Sequence, residues 1–360
     1  MNDSSLRPRQ YIERVLRGQP LPRPAVGPLA VHYCAQLAGA TLREYTTDAR
    51  ILADCVVRYY ERFRPDAVWL SADTWVTAQA MGAAVDFAGD DQPLSGMGTA
   101  RVRTSADIDA IPPPDPCSQG RCRLMLDALR RVRQALGEDV FVVACFDQYP
   151  FSLACALMGI DQVMLQLTDD RPLVQALMER GLEYALAYAR ALAQVGADML
   201  SGGDSPAGLL GPRLYREVAF PYQQRLIAGL KSRVTQPISL HICGNTSHIL
   251  QDMAATGAHV LELDHQVHIT RACRLVGRDV TIWGNLDPVG LLARSAPSQV
   301  GQATCALLEA VQTCAHHRFV LSSGCTLALE TPAANLDAMF DACRSYRLTY
   351  PVPAHPGPPV

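Results

Sequence analysis

Short apolar runs rich in β-branched residues recur along the chain, and each ends on a polar or metal-binding side chain. Eight can be counted: 25–34 (AVGPLAVHYC), 66–73 (DAVWLSAD), 140–147 (VFVVACFD), 197–204 (ADMLSGGD), 237–243 (PISLHIC), 259–264 (HVLELD), 280–287 (VTIWGNLD) and 318–325 (RFVLSSGC). Between them lie segments with helical spacing of apolar positions, among them 121–135, 172–195, 212–230, 248–256 and 298–315. Eight strands alternating with helices predict an α/β fold, a closed (β/α)8 TIM barrel, in preference to a doubly wound sheet.

The pattern predicts a single domain over residues 1–350, beginning with a helical extension, and a Pro-rich, disordered tail over 351–360 (PVPAHPGPPV). The stretch 111–116 (IPPPDP) reads as a connector. More than one helix's worth of chain separates the second and third strands. Within it, 85–87 followed by a Gly/Asp/Pro cluster predicts an inserted hairpin or lid after strand two.

Composition narrows the function classes. The 360 residues carry a formal charge of −3 and are 19% charged, so no basic surface points to nucleic acid. Lys231 is the only lysine among 32 basic residues, so Schiff-base chemistry would rest on one polar-segment side chain. No run of about 18 apolar residues marks a membrane span, and the polar start lacks a signal-peptide core. A soluble, cytoplasmic protein is expected, its twelve cysteines mostly free thiols in a reducing compartment. Neither a dinucleotide fingerprint, a phosphate loop nor a Gly-x-Ser-x-Gly elbow is present.

The strongest chemical signal is His241-Ile-Cys243. Residues two apart on a strand share a face, and these two end the fifth strand at the mouth where barrel enzymes keep their sites. Cys325 ends the eighth strand. One imidazole and two thiolates are three soft ligands for Zn2+ with a fourth position open to substrate. The same spacing also suits buried cysteines packed beside a hydrogen-bonded histidine. His32 and Cys34 repeat the spacing in a weaker context. Carboxylates end other strands: Asp73, Asp147, Asp204, Asp264 and Asp287. Asp favours turns, which accounts for any one of them without a functional role. Glu262 and Asp264 share a strand face, and either could ligate zinc or orient a histidine. The remaining histidines, His316 and His317 included, are expected at the surface or in loops.

Across most of its length the chain resembles the uroporphyrinogen decarboxylase superfamily, and within it the zinc-dependent methylcobamide:thiol methyltransferases. The likeness is carried by 15–24 (VLRGQPLPRP), 63–72, 78–87 (AQAMGAAVDF), 204–222 (DSPAGLLGPRLYREVAFPY), 241–250 (HICGNTSHIL), 283–292 (WGNLDPVGLL) and 321–339 (LSSGCTLALETPAANLDAM). The resemblance implies a (β/α)8 barrel with zinc on His241, Cys243 and Cys325. It further implies catalytic roles for Asp204, Asp264 and Asp287 and a cofactor-binding role for Asn285, which shares a substrate-side loop with Asp287 and Pro288. The Arg-x-x-Gly-Arg segment by which the porphyrin decarboxylases hold substrate acids is absent, because 31–39 reads VHYCAQLAG. The implied reaction moves a methyl group from a methylated corrinoid, carried as co-substrate on a small corrinoid protein, to a zinc-activated thiol such as coenzyme M or homocysteine. A methylcobamide:tetrahydrofolate methyltransferase, a decarboxylase-like lyase acting on another substrate, and a non-catalytic subunit remain open, as does a homodimer.

Overall fold

Each of the eight runs forms a strand in the computed structural model, which describes residues 6–87, 94–95 and 100–349. The strands are β1 (Ala25–Val26), β2 (Ala67–Leu70), β3 (Phe141–Gln148), β4 (Met199–Gly203), β5 (Ser239–Ile242), β6 (Val260–Leu263), β7 (Thr281–Leu286) and β8 (Phe319–Ser323). From β2 to β8 each pairs in parallel with its successor, and β8 pairs back onto β1. The seam between β1 and β2 is closed by the Asp66 N–H donating to Val26 O at 2.8 Å. The Asp66 carboxylate reinforces it by accepting from the Val26 N–H at 2.9 Å and from both terminal nitrogens of Arg23 at 2.7 and 2.8 Å. The architecture is a (β/α)8 TIM barrel, as expected.

Alternation along the strands explains why the site lies at one end. Phe141, Val143, Met199, Val260, Trp283 and Val320 pack together inside the barrel, whereas Val142, Ala144, Leu240, Ile242, Leu261 and Leu263 pack outward under the helices. The expected N-terminal extension is the helix Pro8–Leu16, and its Tyr11, Ile12 and Val15 seal the interior from below. Trp69 and Trp283 meet edge to face with centroids 5.8 Å apart. The Trp283 indole N–H donates to Gly27 O at 2.7 Å, and a side chain at Gly27 would put its Cβ 2.8 Å from that ring. One step further along each strand, the inward positions change to Cys145, Ser201, His241 and Glu262. The polar chemistry is thereby held above an apolar floor, at the C-terminal mouth.

The inserted segment after β2 contains an antiparallel pair, Val85–Asp86 with Leu94–Ser95, in which Val85 faces Ser95. Most of the Gly/Asp/Pro turn between them lies outside the described residues, as does the tail 351–360. Residues 111–116 form a connector. The helix expected over 212–230 is two, Pro212–Glu217 and Ala219–Lys231, divided at Val218, where φ is −115° and ψ −69°. His316, expected at the surface or in a loop, lies in the loop before β8 and is buried there. Among the described residues no single helix is long and apolar enough to cross a membrane.

Candidate metal centre

β5 delivers His241 and, one residue past its end, Cys243; the loop after β8 delivers Cys325. The three ligand atoms lie within 4.8 Å of one another. His241 Nε2 is 3.0 Å from Cys243 Sγ, and the two sulfurs are 3.8 Å apart. Two Zn–S bonds of ~2.3 Å at a tetrahedral angle require sulfurs about 3.8 Å apart. The donor set and the sulfur spacing fit a single Zn2+, and Nε2, now at hydrogen-bond distance from Cys243 Sγ, would stand about 3.5 Å from it as a fellow ligand. His241 Nδ1–H donates to Glu262 O at 3.0 Å, which directs Nε2 at the sulfurs. The Ser205 hydroxyl donates to Cys243 Sγ at 3.1 Å.

The local electrostatics already favour charge here. A hydrogen bond from Cys325 outweighs burial and lowers the Cys243 thiol below its ordinary value. Cys325 itself is pushed up to about 12, first by that hydrogen bond and then by burial. Burial works against the charged imidazole of His241, but Cys325 and Glu262 outweigh it and raise the group to about 9. The protons held among these three groups are what a divalent cation would displace on binding.

The triad lines a cavity of about 180 Å3 whose walls include His32, Asp73, Asp147, Ser201, Ser205 and Glu262. Glu262 Oε1 accepts from the Ser201 hydroxyl at 2.8 Å and from the Ser239 hydroxyl. A second cavity of about 780 Å3 shares Thr74, Asp147, Gly203 and Ser205 with the first.

The strand-end carboxylates divide into two groups. Asp73 and Asp147 line the inner cavity, whereas Asp204, Asp264, Asp287 and Asn285 do not, because their side chains hold loops. Asp204 is fully buried, accepting from Ser152 N–H and Oγ–H at 2.8 Å each and from Gln223 Nε2 at 2.7 Å. Asp264 accepts from the Gly244 and Gln266 N–H groups at 2.9 Å each. This fastens the turn after Cys243, where Gly244 takes φ +82°. Asn285 Nδ2 donates to Asp264 O at 3.0 Å and to Val267 O at 2.8 Å. Asp287 Oδ1 accepts from the Val289 and Gly290 N–H groups at 2.9 Å each. His32 reaches the cavity wall with its ring nitrogen 2.7 Å from Ala72 O, while Cys34 is buried elsewhere in the helix-covered core.

Asp147 is the carboxylate that sequence reasoning did not separate from the others. It sits at φ +79°, Oδ2 accepts from the Thr77 N–H at 2.9 Å, and burial pushes its pKa up to about 7. The Thr77 N–H and Arg121 oppose that rise and Asp73 adds to it. A folded-state pKa above the unfolded one makes this group's contribution to stability full below about pH 4 and progressively lost towards pH 7. Asp147→Asn tolerates the left-handed conformation. Its melting temperature relative to wild type is expected to rise between pH 4 and pH 8, and an offset that stays constant over that range would remove the assignment.

A family model described as uroporphyrinogen decarboxylase (URO-D) matches residues 7–346. The chain belongs to the uroporphyrinogen decarboxylase family. Among its relatives in that family, methylcobamide:CoM methyltransferase MtbA of Methanosarcina mazei is 30% identical over 345 residues, 94% of this chain and 98% of that one. A uroporphyrinogen decarboxylase of Vibrio cholerae is 25% identical over 312 residues, 84% of this chain and 85% of that one. A solved methyltransferase from Methanosarcina mazei superposes with a TM-score of 0.85 at 22% identity, covering 94% of this chain and 99% of that one, and it shares the (β/α)8 barrel described above. The relatives in the family are enzymes, and so is this chain.

Proposed function

We propose that this protein transfers a methyl group from a methylated corrinoid, presented by a small corrinoid protein, to a thiol bound at a zinc ion on His241, Cys243 and Cys325. The observation that carries this reading is the convergence of one imidazole and two sulfurs within 4.8 Å at the mouth of the barrel. The activity of the Methanosarcina relatives, methylcobamide:CoM methyltransferases, supports it. Zinc held by two thiolates and an imidazole supplies Lewis acidity that keeps a bound thiol deprotonated near neutral pH.

The chain's own residues set the geometry. The Glu262 carbonyl fixes the plane of the His241 ring, and the Ser205 hydroxyl spreads the charge of Cys243. Asp264 and Asn285 hold the loops after β5 and β6, Asp204 holds the loop after β4, and Asp287 holds the turn after β7. They act as positioning residues around the mouth. The apolar floor beneath keeps water from the far side of the acceptor. In the overall reaction a thiol and a methyl–Co(III) corrinoid give a thioether, Co(I) and a proton. The new bond is S–CH3, the broken bond is Co–CH3, and cobalt keeps both electrons.

An inner cavity of about 180 Å3 suits a small thiol and falls below the ~300–1,000 Å3 typical of drug-sized ligands. Together with the missing arginine segment at 31–39, this argues against an acid-bearing tetrapyrrole as the reacting substrate. The test is spectral: methylcobalamin mixed with zinc-loaded protein and a thiol is expected to lose its methyl–Co(III) absorption, and a chelator is expected to stop the loss. Transfer unaffected by chelation would remove zinc from the reaction. Transfer to tetrahydrofolate and to no thiol would establish the folate reading instead.

A further inference from the structure

The inner cavity carries Asp73, Asp147 and Glu262, and no Arg or Lys is among the described residues on its wall. The undescribed segments contain neither residue type. Two of the three carboxylates are answered. Arg121 grips Asp73 with both terminal nitrogens, Nη2 donating to Oδ1 at 3.1 Å. Ser201 and Ser239 donate to Glu262 Oε1. Asp147 differs, because its Oδ1 is buried with no hydrogen-bond partner in a residue only 3% exposed. The adjacent Gln148 presents a second buried acceptor without a donor, Oε1, on the adjoining cavity. On the inner wall the unpartnered donor is Trp69 Nε1, which is neutral.

Resting on the methyl-transfer reading, we propose that the acceptor is a small thiol bearing a protonated amine, with its sulfur at the His241, Cys243 and Cys325 centre and its ammonium on Asp147 Oδ1. An ammonium offers three donors and a positive charge, and Asp147 and Gln148 are the neighbouring acceptors that lack donors. Burial drives the Asp147 carboxyl toward its neutral form, and an ammonium beside Oδ1 would favour the anion again. Coenzyme M, named with the relatives, ends in a sulfonate. In this cavity that anion would face carboxylates without a guanidinium or ammonium to receive it. The two imidazoles on the wall are engaged elsewhere, His241 as a ligand of the zinc in this reading and His32 with its ring nitrogen on Ala72 O.

The experiment uses the zinc-loaded full chain and three thiols of form HS–CH2–CH2–X that differ only in the tail: cysteamine (X = NH3+), 2-mercaptoethanol (X = OH) and coenzyme M (X = SO3−). Dissociation constants are read by calorimetry and methyl transfer by the methylcobalamin spectrum. Cysteamine is expected to bind at least about tenfold more tightly than 2-mercaptoethanol, as one charge-assisted hydrogen bond would give, with coenzyme M weakest. In Asp147→Asn that preference is expected to shrink to within about twofold. Asp147→Gly, which also permits the positive φ, provides a second variant. Coenzyme M binding most tightly, a preference unchanged in both variants, or binding of none of the three overturns the ammonium site. Efficient transfer to coenzyme M over cysteamine overturns it while leaving methyl transfer intact. Cysteamine binding first in order without loss of methylcobalamin supports the ammonium site and retires methyl transfer.

Discussion

Cys325→Ala is expected to lower bound zinc from about one ion per chain to near zero, and Cys243→Ala to do the same. Removing a residue that merely orients a ligand typically weakens metal binding about 10–100-fold, and losing one of three direct ligands costs more than that. The two sulfurs stand 3.8 Å apart on loops anchored independently, one by Asp264 bonding the Gly244 N–H and the other by the Gly324 N–H bonding Leu286 O at 2.7 Å. Metal analysis after gel filtration reads the stoichiometry, and unchanged circular dichroism separates metal loss from unfolding. Full zinc retention in both variants would remove the metal assignment, and with it the proposed activation of the thiol.

The second large effect is on stability. Asp204→Ala is expected to destabilise the fold by about 3 kcal/mol or more, because it strands the Ser152 N–H, the Ser152 hydroxyl and the Gln223 amide in a fully buried position. Asp204→Asn should cost less, since one oxygen can still accept from Ser152. Its amide, however, meets the Gln223 Nε2 donor, while Gln223 Oε1 is already taken by the Tyr215 hydroxyl. Urea unfolding measures both variants. A chemical role for Asp204 would show the opposite pattern: Asp204→Asn as stable as wild type but without methyl transfer.

The metal ligands and the strand-end carboxylates differ in how far they are legible in the sequence. His241 and Cys243 could be placed together because strand geometry alone puts residues two apart on one face, and Cys325 because strand ends in a closed barrel converge. Both steps depend on backbone periodicity, which local sequence encodes. Asp147 and Asp204 look equivalent in sequence, each the last residue of an apolar run. What separates them lies in other elements: Ser152 and Gln223 saturate one, while Thr77 reaches just one oxygen of the other. No spacing rule reports such partners. The same holds for Val218, where a helix that reads as continuous by its apolar spacing divides in two, and for His316, whose burial is decided by the packing around it. Elements follow from the pattern along the chain, but hydrogen-bond saturation follows from contacts across it.

The helix Pro8–Leu16 and the tryptophan pair above it close the barrel from below. The inner cavity is therefore shut below, and its door lies at the C-terminal mouth, beside the second cavity. On the proposed reaction, traffic through that door is ordered. The small thiol enters before a corrinoid protein covers the mouth, and the methylated product leaves after the corrinoid protein has gone. The plug at one end of the barrel thus sets a sequence of events at the other: acceptor first, donor second, donor out, product last.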